Sequence, residues 1–350
     1  MRKKKLAIIF GGCSSEYPVS LQSAYSIISN IDLNRYDLIL IGISKEGSWF
    51  RYKGDLENIK NDSWLADEKE CIPVIISPDR KIHGLIELRP EGIHYTKVDA
   101  AFPILHGKNG EDGTVQGVIE LAGIPIIGCG TLCSALCMDK DRAHKLVQTE
   151  GIDVPKAVVI PTTYHKAILI DKTKKLRYPL FVKPVKAGSS FGITKVYEEK
   201  DLFEAVKLAF SYDNEVIIEE NIEGFEIGCA IMGNHELVIG AVDEIELTDG
   251  FFDYTEKYTL KSSQIYMPAR IDTQTADRIK NTAELIYRTL GCKGFARVDM
   301  FLTPDNKIVF NEVNTIPGFT SHSRYPNMMK GIGVPFKELL TRLIELGMKA

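Results

Sequence analysis

The chain has 350 residues, and at about 150 residues per domain this implies two to three domains, too much chain for one small core. Hydrophobic residues make up 44% and charged residues 26%, which excludes disordered, collagen-like and low-complexity classes. Forty-three Lys and Arg against 47 Asp and Glu leave a net charge of -4, so no overall field draws the chain to nucleic acid or to an anionic membrane, and small-molecule partners are expected.

The basic start Met1–Lys5 runs into apolar Leu6–Phe10, but Gly11 and Gly12 end the run too early for a signal peptide, so it reads as a buried first strand. Val19–Asn30 reads as a helix and Tyr36–Ile43 as a second strand closed by a turn near Gly47. Val98–Leu105 is a further strand leading into HGKNGEDG; Val115–Ala122 has helical spacing and Ile124–Gly128 reads as a short strand. This first third predicts an open parallel α/β sheet. Cys137–Glu150 reads as a helix. Pro179–Val185 and Ile193–Tyr197 read as strands around AGSSFG, then come the helix Asp201–Phe210 and the strand Glu215–Glu220, an α+β unit. Ala276, Ile279, Ala283, Ile286 and Leu290 mark an amphipathic helix. Phe295–Leu302 and Lys307–Val313 flank Pro304-Asp305-Asn306 as a hairpin. No stretch approaches the roughly 18 apolar residues of a membrane span.

Seven cysteines without a secretory signal read as reduced cytosolic thiols. Cys129, Cys133 and Cys137 recur every four residues, which raises zinc, but CxxC pairs are absent and packing thiols are the expectation.

On the hairpin, Glu312 and Asn314 share a strand face, and the turn brings Asp299 opposite them. Three oxygen donors without His or Cys suit Mg2+ on nucleotide phosphates better than zinc. The alternative for these residues alone is a solvated hairpin face. Phe181-Val-Lys-Pro-Val-Lys186 runs into the hydroxyl-rich loop Ala187-Gly-Ser-Ser-Phe-Gly192, which can cradle phosphates but lacks the Walker pattern GxxxxGK[ST]. Glu219, Glu220, Glu223 and Glu226 follow a strand and can accept hydrogen bonds from a nucleotide or form a solvated acidic turn. His106 ends a strand where open α/β sheets place ligands, and Glu16, after the first strand, can hold an ammonium group.

In conjunction, FGGCSSEYPVSLQSA, HGKNGEDGTVQG, MDKDR, FVKPVKAGSSFGITKV, EENIEGFE, FFDYTEKY, GFARVDMF and NEVNTIPGFTSHS resemble the D-alanine:D-alanine ligases of the ATP-grasp superfamily, over nearly the whole chain. In detail the chain resembles the VanG-type D-alanine:D-serine ligases of glycopeptide resistance. The resemblance implies a three-domain ATP-grasp protein: 1–128 binding the first D-alanine, 129–218 carrying the phosphate loop, and 219–350 carrying magnesium and the second substrate. It implies ATP and Mg2+ (or Mn2+) as cofactors, a cytoplasmic homodimer, and no nucleic-acid or membrane partner.

By the same resemblance, Lys140, Phe181, Lys183, Ser189, Ser190, Glu219, Ile222, Glu226 and Lys257 would contact the nucleotide, and Asp299, Glu312 and Asn314 would hold magnesium. Glu16, Val19, His106, Asp243, Phe252, Gly318, Ser323 and Arg324 would face the amino acids. Arg297 would stabilise the oxyanion, and Ser189 and Tyr258 would close loops through a link to Glu16. The implied product is D-alanyl-D-serine, for peptidoglycan precursors that bind glycopeptides less well, with D-alanyl-D-alanine as the alternative. Three positions depart from the family pattern: Tyr17-Pro18 replaces the usual His after Glu16, Phe252 stands for Tyr, and Arg324 stands for an apolar residue. Lys257-Tyr258 favours a D-amino acid over D-lactate. A non-catalytic nucleotide-binding regulator would be marked by loss of Arg297 or a metal ligand, and none is lost.

Overall fold

The computed structural model describes residues 2–247 and 263–349. Three sheets follow one another along the chain. In the first, Lys4–Gly11 (β1) lies between Tyr36–Ile43 (β2) and Ala100–Pro103 (β7), parallel to both. Its apolar run Leu6–Phe10 is buried on both faces, as a central parallel strand requires. Beyond β2 come Trp49–Tyr52 (β3), Cys71–Ile76 (β4), Gly84–Arg89 (β5) and Gly92–Lys97 (β6), all antiparallel to their neighbours, in the order β6-β5-β4-β3-β2-β1-β7. The sheet is therefore mixed where an open parallel one was expected. The reason is connection length: Pro90 and Glu91 alone join β5 to β6, and a parallel neighbour needs a crossover of a dozen residues.

Ala157–Pro161 (β8), Leu180–Pro184 (β9), Thr194–Val196 (β10) and Glu215–Glu220 (β11) form a sheet of order β10-β9-β11-β8. Phe225–Gly233 (β12), Leu237–Leu247 (β13), Ser263–Tyr266 (β14), Phe295–Leu302 (β15) and Ile308–Asn314 (β16) form the third, of order β14-β13-β12-β15-β16. On β15, Ala296, Val298, Met300 and Leu302 pack into a core with Ile279, Ala283 and Ile286 of the helix Thr273–Thr289. The alternate positions Arg297, Asp299 and Phe301 are thereby turned to the other face.

Two expected elements differ. Cys137–Glu150 is not one helix: Thr131–Met138 ends before Asp139, whose carboxylate accepts from Arg142 N at 3.0 Å and caps a new helix, Lys140–Gln148. This break puts Lys140 in a first helical turn. Ile124–Gly128 is a single bridge, Ala101 to Ile126, because Pro125 has no N–H for a ladder. The C-terminal residues Phe319, Tyr325, Leu339 and Leu343 share a core with Leu6, Ile8 and Phe10 of β1, so the chain's two ends are packed together. Among the described residues, no helix is long and apolar enough to cross a membrane.

Candidate active site

Register places the charged residues in one row. Across β13, β12, β15 and β16, Asp243 pairs with Gly228, Gly228 with Asp299, and Asp299 with Glu312, while Arg297 pairs with Asn314. Glycine is required at 228 because a Cβ there would collide with the Arg324 guanidinium and lie 2.7 Å from Asp243 Oδ1. Arg297 grips Asp299 through Nε to Oδ1 (2.7 Å) and Nη2 to Oδ2 (2.6 Å), and Asn314 Nδ2 donates to Asp299 Oδ2 at 2.8 Å. Burial alone would lower the Arg297 pKa, but Asp299 outweighs it and the net direction is upward, so the guanidinium stays charged. Glu312 is 3.6 Å from Lys140 Nζ. The three expected metal ligands thus converge, and their hard oxygens with no nitrogen or sulfur donor fit Mg2+.

Two cavities meet along this row. One, of about 720 Å3, is lined by Phe181, Lys183, Ser190, Glu219, Ile222, Glu226 and Phe301. Phe181 and Lys183 alternate onto one face of β9, and β11 sets Glu219 opposite Phe181. Lys183 Nζ lies 2.7 Å from Glu219 Oε2. Burial pushes the Glu219 carboxyl up, but the charges of Lys183, His144 and Lys140 prevail and hold it low. Among the described residues, Glu219 Oε1 is buried without a hydrogen bond and faces His144 Nδ1 at 3.8 Å, itself without one. Lys186, which the sequence places beside the same loop, is instead tied to Asp213 and Glu215.

The second cavity, of about 450 Å3, is lined by Glu16, Pro18, Val19, His106, Glu111, Gly318, Ser323 and Asn314. Lys140, Gly188, Ser189, Arg297, Glu312 and Arg324 line both, so Arg297 and Glu312 of the row stand in the wall between them, with Asp299 and Asp243 behind it. Ser189 Oγ donates to Glu16, linking the glycine loop to the start of the helix Tyr17–Ile28. Gly188 is needed there: a Cβ would lie 2.7 Å from Glu16 Oε2. Ser189 and Ser190 both have left-handed backbones, φ 47° and 59°, a strained conformation that the surrounding contacts must hold.

His106 is fully enclosed: Nδ1–H donates to the Ile316 carbonyl at 2.9 Å and Nε2 accepts from Ser23 Oγ at 3.1 Å. Burial lowers its pKa to about 4, so it meets a ligand as a neutral ring. Because the unfolded ring titrates near 6.5, protons favour the unfolded chain as pH falls below that value. We expect His106 to remove about 2 kcal/mol of stability between pH 6.5 and 5, and His106→Asn to flatten that slope in urea titrations.

Arg324, at the start of the helix Arg324–Gly331, is only 9% exposed. Its Nε and Nη2 each reach Asp243 at 2.7 Å, Nη1 reaches Glu226 at 2.9 Å, and Asp299 lies at 3.4 Å. Asp243 itself is 1% exposed and sits behind the guanidinium. Tyr17, in the place of the family's His, is turned away into the core, where its hydroxyl accepts from Trp64 Nε1 at 2.8 Å. Pro18 occupies the first helical turn, where its missing N–H costs nothing. Phe252, Lys257 and Tyr258 lie outside the described residues.

Glu111 was not among the expected site residues. Gly107 N and Ile316 N donate to it at 2.8 and 3.2 Å, and burial together with the charge of Glu16 pushes its pKa up. The signal was present in HGKNGEDG, but only the fold shows that this acid, and not Asp112, faces the cavity.

Models of the D-ala D-ala ligase N-terminus and C-terminus match residues 5–129 and 146–345. The chain is 44% identical to vancomycin C-type resistance protein VanC1 of Enterococcus gallinarum, over 98% of each. It is 43% identical to a D-alanine–D-alanine ligase of Caldicellulosiruptor bescii, over 100% of this chain and 96% of that one. The crystal structure of VanG D-Ala:D-Ser ligase from Enterococcus faecalis superposes with a TM-score of 0.92 at 59% identity, covering 99% of this chain and 100% of that one. With both halves matched and the paired cavities framed by the matched segments, this chain belongs to the D-alanine–D-alanine ligase family.

Proposed function

We propose that the chain joins D-alanine to D-serine at the expense of ATP, through a D-alanyl phosphate. The observation that carries this reading is the buried Arg324, clamped by Asp243 and Glu226 on the wall of the smaller cavity. Three of its five N–H bonds carry hydrogen bonds among the described residues and Nη1 also faces Asp299 at 3.4 Å, so at most one donor remains for a substrate oxygen. An apolar residue there would offer none. A hydroxyl matched by a buried partner discriminates strongly, because the analogue lacking it leaves that partner unpaired. Similarity to a D-Ala:D-Ser ligase supports the reading, while similarity to D-alanine–D-alanine ligases keeps D-alanyl-D-alanine as the alternative.

In this reading the units 1–128, 129–218 and 219–350 supply the first-substrate, phosphate-loop and metal-bearing parts of the site. ATP supplies a leaving group: a bare carboxylate cannot expel oxide, whereas phosphate departs once cations neutralise it. Glu16 takes the ammonium of the first D-alanine. Lys140 and Lys183 face phosphate oxygens, Lys183 exchanging its Glu219 contact for them. Asp299, Glu312 and Asn314 hold Mg2+. Arg297, on the wall between the cavities, stabilises the oxyanion formed when the second amine attacks. The product would enter peptidoglycan precursors with weakened glycopeptide binding, made in the cytoplasm by a homodimer.

Glu312→Gln should raise the Mg2+ concentration needed for half-maximal rate, since it removes charge from a hard-cation site; an unchanged titration would remove Glu312 from the metal site. Ser189→Ala should raise ATP hydrolysed per dipeptide formed, because the Ser189–Glu16 link closes the loop against water. An unchanged ratio would make that link dispensable. The reading itself is tested by mass spectrometry of products from ATP, Mg2+ and D-alanine with and without D-serine. D-alanyl-D-serine with stoichiometric ADP is expected, and ADP release without any dipeptide would refute it.

A further inference from the structure

The four-residue recurrence of Cys129, Cys133 and Cys137 gains a partner that the sequence hides. Cys292, between the helix Thr273–Thr289 and β15, brings its sulfur to 3.5 Å from Cys133, whose sulfur is 3.8 Å from that of Cys137. The sulfurs of Cys129, Cys133 and Cys292 all lie within 4.8 Å of one another. Among the described residues, no other three His, Cys, Asp or Glu donors converge so closely. All four thiols are no more than 6% exposed.

We propose that Cys129, Cys133 and Cys292 form a three-thiolate site for one soft d10 cation such as Zn2+, separate from the magnesium ligands. A tetrahedral site with metal–sulfur bonds of about 2.3 Å has sulfur–sulfur edges of about 3.8 Å. The 3.5 Å between Cys133 and Cys292 already fits, and the widest pair among Cys129, Cys133 and Cys292 needs to close by no more than about 1 Å, while Cys137 packs beside the trio at 3.8 Å from Cys133. Helix polarity assists: Cys129 precedes the helix Thr131–Met138 and Cys133 lies in its first turn, where unpaired N–H groups favour a thiolate. Soft sulfur selects against Mg2+, so the ion that serves the oxygen site does not compete here. Burial and mutual contact keep the metal-free thiols protonated, so binding one M2+ through Cys129, Cys133 and Cys292 releases three protons and leaves M(S-Cys)3 with charge -1.

The site also has a position from which it matters. Cys137 and Met138 line the smaller cavity, and the next residues are the capping Asp139 and Lys140. A bound ion would pin the helix that sets Lys140 to the segment that leads into Arg297.

The reduced whole protein, purified anaerobically, is titrated with Co2+ in excess Mg2+. We expect one Co2+ per chain with the sulfur-to-metal charge-transfer band of thiolate ligation, three protons released, displacement by one Zn2+, and a rise in melting temperature of several degrees. Cys133→Ser with Cys292→Ser should lose the band at an unchanged circular dichroism spectrum. X-ray absorption of the zinc-loaded wild type, which needs no variant, should give a shell containing three sulfurs. A shell of nitrogen and oxygen, a band that survives in the double variant, or no bound zinc under reducing conditions would each overturn the proposal. None of these readouts depends on which dipeptide is made.

Discussion

Arg297→Ala should lower kcat on the order of 100-fold or more while changing the KM for D-alanine little, the loss expected when a charge that acts mainly in the transition state is removed. The structure sharpens this expectation. Arg297 forks onto both oxygens of Asp299, the carboxylate proposed to hold Mg2+, so in that reading guanidinium and metal would bear on the same group. Removing the guanidinium frees Asp299, and the Mg2+ requirement of Arg297→Ala should stay level or fall as kcat collapses. Arg297→Lys keeps the charge without the fork and should recover only part of the rate. Near-normal turnover in Arg297→Ala would take the residue out of the chemistry. A collapse accompanied by a raised Mg2+ requirement would make it a support for the metal site instead.

The second large effect is on stability. Arg324→Leu strips the partner from Asp243, 1% exposed, and one contact each from Glu226 and Asp299 beside it, and breaking a buried ion cluster from one side costs about 3–5 kcal/mol. The urea midpoint should fall accordingly. Adding Asp243→Asn should restore part of the loss, because the penalty lies in the stranded charge and not in the missing arginine. A midpoint unchanged in Arg324→Leu would mean that the cluster is not formed in solution. One consequence concerns specificity: a Leu substitution mixes folding with substrate choice, so Arg324→Lys is the cleaner probe. It keeps a cation among the carboxylates while losing the planar fork.

Much of this site was legible in sequence because its residues follow local rules. Period-two alternation placed Glu312 and Asn314 on one face, and the Pro304-Asp305-Asn306 turn set the hairpin that brings Asp299 opposite Glu312. Lys183 and Phe181 share a face for the same reason. Residues 49–97 gave no such signal: β6 is mostly exposed, so its sequence Gly-Ile-His-Tyr-Thr-Lys lacks the burial pattern that reveals a strand. The break at Asp139 was readable as an N-cap in Met-Asp-Lys-Asp-Arg, yet helical spacing on both sides masked it. Long-range contacts were beyond reach. Nothing near Arg324 indicates Asp243, 81 residues away, nor does Cys133 point to Cys292, 159 residues away. Glu111 acquires its raised pKa only when Gly107, Ile316 and Glu16 are folded around it.

The central claim is a D-alanine-activating ligase whose second substrate is chosen at Arg324. It is tested most directly by measuring kcat/KM for D-serine and for D-alanine as second substrate, in the wild type and in Arg324→Lys at equal folded fraction. The account predicts a wild-type preference for D-serine of at least about tenfold, reduced severalfold in the variant through D-serine alone. A wild-type preference for D-alanine that Arg324→Lys leaves unchanged would contradict it.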